Sequence, residues 1–85
     1  MMDRLRVNFE KYCEDHEAGV KQQIEMFKEE QGLIEWRQQE MPTDYHNIRE
    51  YLRSVNSILD RKQQNIELMK LHLKEMAQVL EDSNE

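Results

Sequence analysis

Hydrophobic residues recur at a strict seven-residue spacing through the second half of this chain. They are Tyr45, Leu52, Leu59, Ile66, Leu73 and Leu80, with a companion row three residues after each of the first five: Ile48, Val55, Lys62, Met69 and Met76. Residues three, four and seven apart share one face of an α-helix, so the two rows predict a long helix with an apolar seam. Such a seam has to be covered by other helices, from this chain or from another.

The first half of the chain has a weaker helical pattern. Its apolar residues predict a first helix over about 3–31 and the firmer pattern predicts a second helix over about 44–81, followed by a polar tail at 82–85. One row of the first helix keeps the seven-residue spacing: Cys13, Val20, Phe27, Ile34 and Met41. The row beside it turns polar, which predicts a narrower apolar stripe than that of the second helix.

The segment 32–43 decides how the two helices are arranged. Gly32 resembles a helix C-cap, and Pro42 favours a turn or a helix start, with Thr43 as the N-cap. The segment is therefore predicted to be a connection, with a helical turn possible within it, and the fold to be all-α, an antiparallel helical hairpin. The alternative is one long parallel coiled coil that is kinked at Pro42, because the row from Cys13 to Met41 continues in phase into Ile48 and Val55.

The width of the apolar stripe bears on the number of helices that pack together. Tyr51, Ile58 and Val79 widen the seam of the second helix beyond what one partner helix covers. A wide stripe is typical of bundles of three or four helices. We therefore expect two hairpins to dimerise into a four-helix bundle, as a homodimer or with a different helical protein.

Composition narrows the classes of function and location. The 85 residues carry a net charge of −6, which argues against nucleic-acid binding, and no stretch approaches the ~20 apolar residues that span a membrane. The single cysteine, Cys13, favours a reducing compartment, so we expect an intracellular, cytoplasmic protein. The doubled methionine at the start and the abrupt polar end suggest a fragment of a larger protein.

The sequence contains no recognisable catalytic pattern. It has no glycine-rich phosphate loop, no nucleophile elbow and no paired histidine metal motif. Cys13, His16 and His72 are a possible zinc set, but a fourth ligand and a typical zinc spacing are missing. We expect no enzyme activity, no cofactor, no metal and no small-molecule substrate.

Two residues stand out from the helical pattern. Lys62 interrupts the seam and either extends its ammonium to water or fixes the pairing of the helices, with Glu14, Glu17 or nearby groups expected opposite it. Trp36 is placed in or near the connection, where it is either a contact residue for a partner or a plug at the end of the bundle.

The pattern as a whole predicts a non-enzymatic module for oligomerisation and protein–protein interaction within an intracellular scaffold. Long acidic helices of this kind are common in cytoskeletal proteins. The alternative function is an adaptor whose apolar seam binds an amphipathic helix of a different protein.

Overall fold

Two long helices make up almost the whole chain. The structure, a computed structural model, describes residues 2–83, with α1 at Met2–Gln39 and α2 at Tyr45–Ser83. They pack side by side in an extended hairpin that measures 63 × 16 × 11 Å. The predicted all-α antiparallel hairpin is confirmed. The alternative of one kinked continuous helix is wrong, because the chain reverses direction between the two helices.

The first helix ends later than the sequence predicted. α1 passes through Gly32 and ends at Gln39, so the connection is residues 40–44 and not 32–43. No described glycine has a positive φ, so Gly32 does not take the left-handed conformation of a C-cap. The helix continues because an exposed glycine inside a helix costs only about 1 kcal/mol, which its neighbours offset.

Hydrogen bonds close both helices at the connection. The backbone amides of Glu40 and Met41 donate to the carbonyl of Trp36, at 3.1 and 3.0 Å. At the start of α2 the carboxylate of Asp44 accepts a hydrogen bond of 2.9 Å from the backbone amide three residues later. Asp44 is therefore the N-cap, and the predicted cap at Thr43 is wrong by one residue.

The contact between the two helices, named here the hairpin seam, has the same seven-residue spacing on each side. Its residues are Leu5, Tyr12, Gly19, Met26 and Leu33 in α1 and Tyr51, Ile58, Asn65, His72 and Val79 in α2, flanked by Val55, Lys62, Met69 and Met76. All of these residues are buried or half-buried. Among the described hydrophobic residues only Met26, 5% exposed, and Ile58, 4% exposed, are buried, and neither is completely enclosed.

The helices approach each other closely at Gly19. A Cβ atom added there would lie 2.8 Å from the Sδ atom and 2.9 Å from the Cγ atom of Met69. The side-chain amide of the buried Asn65 donates to the carbonyl of Gly19 and to the side-chain oxygen of Gln22, both at 3.1 Å. A small residue and a buried polar residue thus meet at one level and fix how the helices are aligned.

The two glycines provide a matched test of this alignment. Gly32→Ala should stabilise the hairpin by about 0.5–1 kcal/mol, because nothing lies within 4 Å of the added Cβ and alanine favours helix. Gly19→Ala should not raise the stability of the hairpin, because the added methyl group forces the side chain of Met69 to move. Thermal unfolding by circular dichroism measures the difference, and Gly19→Ala should become stabilising again in a Met69→Ala background. An equal rise in Tm for the two alanine variants would contradict the close contact.

Candidate interaction surface

The hydrophobic ladder of the second helix lies at the surface of the hairpin. Its members are between 48% exposed, at Ile66, and 79% exposed, at Tyr45. They follow the row that begins with Tyr51 and Ile58 by one position in each heptad, so they lie about 100° around α2 from the hairpin seam. The most regular apolar row of the chain is therefore not the one that joins the two helices.

The companion row borders the groove between the two helices. Val55, Lys62, Met69 and Met76 are half-buried, and Ile48 near the connection is 43% exposed. This row contributes to the hairpin seam on one side and adjoins the exposed ladder on the other.

A matching row of α1 lies on the same side of the hairpin. Phe27 and Ile34 are 56% and 47% exposed, and Cys13 and Val20 are half-buried. A groove lined by His16 and Gln23 of α1 and by Ile66, Met69 and Leu73 of α2 runs between the two rows. We name the two rows together the apolar face: Cys13, Val20, Phe27 and Ile34 with Tyr45, Leu52, Leu59, Ile66, Leu73 and Leu80.

The opposite side of the hairpin has a different character. Its rows are Arg4, Lys11, Ala18, Glu25 and Gly32 in α1 and Glu50, Ser57, Gln64, Leu71 and Gln78 in α2, named here the polar face. Leu71, 49% exposed, is the one large hydrophobic residue of these two rows, and Leu68, 52% exposed, borders the groove beside them. Monomeric proteins rarely expose a contiguous apolar patch of this kind on one face, and such patches typically mark interaction sites.

The two rows of the apolar face are offset along the hairpin. The contacts of Gly19 with Met69 and of Glu30 with Lys62 fix the relative height of the helices. Phe27 consequently lies at a height between Leu59 and the next member of the ladder, and the other α1 residues fall in the same way between successive α2 residues. An offset lattice of this kind accepts the side chains of a second helical layer between its own.

An ion pair bridges the groove within the apolar face. The ammonium of Lys62 contacts the carboxylate of Glu30, with their side chains 35% and 28% exposed. The expected partners, Glu14 and Glu17, are wrong, because the late end of α1 moves the point of reversal and brings Glu30 to the height of Lys62. The nearest members of the apolar face surround this pair on both helices.

A second ion pair links the helices on the other side of the hairpin seam. Arg61 and Glu29 are 2.8 Å apart, and about half of each side chain is exposed. Exposed pairs contribute little to stability. The two pairs agree on the relative height of the helices and so confirm the alignment from independent sides.

Trp36 lies in the last turns of α1 and not in the connection. It is 36% exposed and lines a groove with Leu33, Arg53, Ser57 and Ile58. This groove is on the side of the hairpin seam away from the apolar face. The position places the indole against α2 near the reversal of the chain.

No group of three or more potential metal ligands occurs among residues 2–83, and no helix in this range is long and apolar enough to cross a membrane. His16 stacks on Tyr12 with ring centroids 6.0 Å apart, whereas His72 borders a different groove with Asn8 and Asp15.

No family model, curated protein or solved structure matches this chain. Its function therefore has to be inferred from its surface alone.

The placement of Trp36 gives a testable expectation. Trp36→Ala should lower the stability of the hairpin by about 1–2 kcal/mol, because Trp36 is 36% exposed and borders a groove with α2. It should change the constant for self-association less than threefold, because Trp36 lies off the apolar face. Thermal unfolding and sedimentation equilibrium measure the two effects. A large loss of association with unchanged Tm would instead make Trp36 a contact residue.

Proposed function

We propose that this chain is a non-enzymatic self-association module. Two hairpins pair through their apolar faces and form a four-helix bundle, which joins whatever is attached to each copy. The observation that carries the proposal is the pair of exposed apolar rows on one side of the hairpin, opposite a polar face.

The total surface of the hairpin supports association. A compact monomeric protein of 10.4 kDa exposes about 5,400 Å², whereas this chain exposes 7234 Å². The difference arises because two helices that lie side by side cover each other along one side only. Pairing with a second copy removes the apolar part of this excess from water.

The dimensions of the apolar face match those of a stable dimer. The hairpin is 63 Å long and 16 Å wide, so its projected face is about 1,000 Å², compared with about 800 Å² per partner in a standard interface. The exposed side chains of this face are leucine, isoleucine, phenylalanine and tyrosine, and the burial of their apolar surface provides about 25 cal/mol per Å². A second copy supplies an identical surface without requiring any other component.

The setting of the module follows from its chemistry. Cys13 is a free thiol, which suits a reducing compartment, and the long acidic helices suit a cytoplasmic scaffold. The absence of a recognisable reaction motif and the exposed apolar face favour assembly over catalysis.

Two leucines of α2 with nearly the same exposure allow a matched test of which face mediates dimerisation. Leu59 on the apolar face is 51% exposed, and Leu71 on the polar face is 49% exposed. Leu59→Gln should weaken dimerisation on the order of 100-fold, since each copy loses about 1–2 kcal/mol of apolar burial. Leu71→Gln should change it less than threefold.

Sedimentation equilibrium over a concentration series measures both constants. Equal effects of the two substitutions would exclude the apolar face as the interface. A wild-type chain that is monomeric at every concentration would exclude self-association and favour the alternative, in which the same face binds an amphipathic helix of a different protein.

A further inference from the structure

We infer that the two hairpins pair with their connections at the same end of the bundle. The inference rests on the proposed self-association and specifies its geometry. Two-fold symmetry allows two ways to lay one apolar face on another. With the axis along the helices the connections lie at the same end, and α1 packs on the partner's α2. With the axis across the helices the connections lie at opposite ends, and each helix packs on its own copy.

The Lys62–Glu30 pair distinguishes these two arrangements. Both side chains lie in the groove of the apolar face, so in either dimer they point toward the bundle centre. A two-fold axis along the helices leaves heights unchanged, so the four charged groups necessarily form one layer. In that layer each Lys62 stands next to the Glu30 of its own chain and next to the partner's Glu30.

The opposite-end arrangement places like charges together. In this arrangement the ladder from Tyr45 to Leu80 faces the same ladder of the partner. All of its residues are paired when the two-fold axis passes midway between Leu59 and Ile66, at the height of Lys62. Each Lys62 then stands next to the partner's Lys62, and the glutamates are paired in the same way. Sliding one hairpin by a heptad leaves an end residue of the ladder unpaired, and it brings Lys62 to the height of the partner's Lys70 in one direction and of the partner's Asn56 in the other.

Burial makes this difference decisive. A charged pair that is removed from water is costly unless each group gains further partners of opposite charge. A closed ring of alternating ammonium and carboxylate groups provides them, whereas neighbouring lysines in a bundle centre repel each other at reduced dielectric. The pair thus allows one orientation and disfavours the other.

The charges along the two edges of the apolar face favour the same orientation as the Lys62–Glu30 pair. The outer row of α2 is Arg49, Asn56, Gln63, Lys70 and Ala77, and the outer row of α1 is Asp3, Glu10, Glu17, Ile24 and Gln31; all of these residues are exposed. The charges of the first row are only basic, and those of the second are only acidic.

Same-end pairing lays these two outer rows against each other. The alignment of the helices brings Lys70 to about the height of the partner's Glu17. Opposite-end pairing lays basic against basic and acidic against acidic. The complementarity along the edges steers the two hairpins into the same orientation that the central pair favours.

A distance between the two connections tests the orientation directly. Thr43 is exposed in the connection and is therefore a suitable position for a spin label. It is replaced by a ketone-bearing amino acid to which a nitroxide is attached. This chemistry does not require a cysteine, so Cys13 stays unchanged. Pulsed electron–electron double resonance on the full chain measures the distance between the two nitroxides of a dimer. Same-end pairing should give less than about 30 Å, because neighbouring helices in a bundle are 8–10 Å apart. Opposite-end pairing gives a distance near the hairpin length of 63 Å.

A label at Gln64 is the matched control. This residue lies near mid-length on the polar face, so its distance across the bundle is short in both orientations. A short distance at both positions supports same-end pairing. A short distance at Gln64 with a long one at Thr43 overturns the inference and leaves the dimer intact. Loss of both distances, with a monomeric mass, overturns the proposed self-association itself.

Discussion

Two helices packed side by side cannot enclose a core, and this constraint governs the whole molecule. Each helix has only one neighbour, so among the described hydrophobic residues only Met26 and Ile58 are buried in the hairpin seam. The remaining apolar positions stay in contact with water although their spacing is as regular as that of a buried row. Regular spacing without burial is the basis of the proposal that a second copy of the chain covers this surface.

The alignment of the helices connects the seam to this surface. Gly19 lets α2 approach closely, and Asn65 fills the same level with a hydrogen bond to the Gly19 carbonyl. That alignment sets the offset between the two rows of the apolar face and brings Lys62 opposite Glu30. The close contact at Gly19 therefore helps to set both the shape and the charge pattern of the apolar face.

The sequence predicts the two helices and their reversal because spacing and helix-forming residues act locally. It does not predict which row joins them, since Asn65 and His72 make the seam row of α2 look polar, while the purely hydrophobic ladder is exposed. The end of α1 is also missed, because Gly32 is compatible with a cap and with an exposed helical position. Tertiary contacts choose between such alternatives, and the partner of Lys62 changes with them.

The central claim is that this chain pairs with itself. Sedimentation equilibrium of the unmodified protein tests it most directly, because the mass of one chain is 10.4 kDa. A mass about twice that value, falling reversibly toward one chain on dilution, is the result that the apolar face predicts. A mass of one chain at concentrations on the order of hundreds of micromolar would contradict it, since an interface of this size gives tighter binding than that.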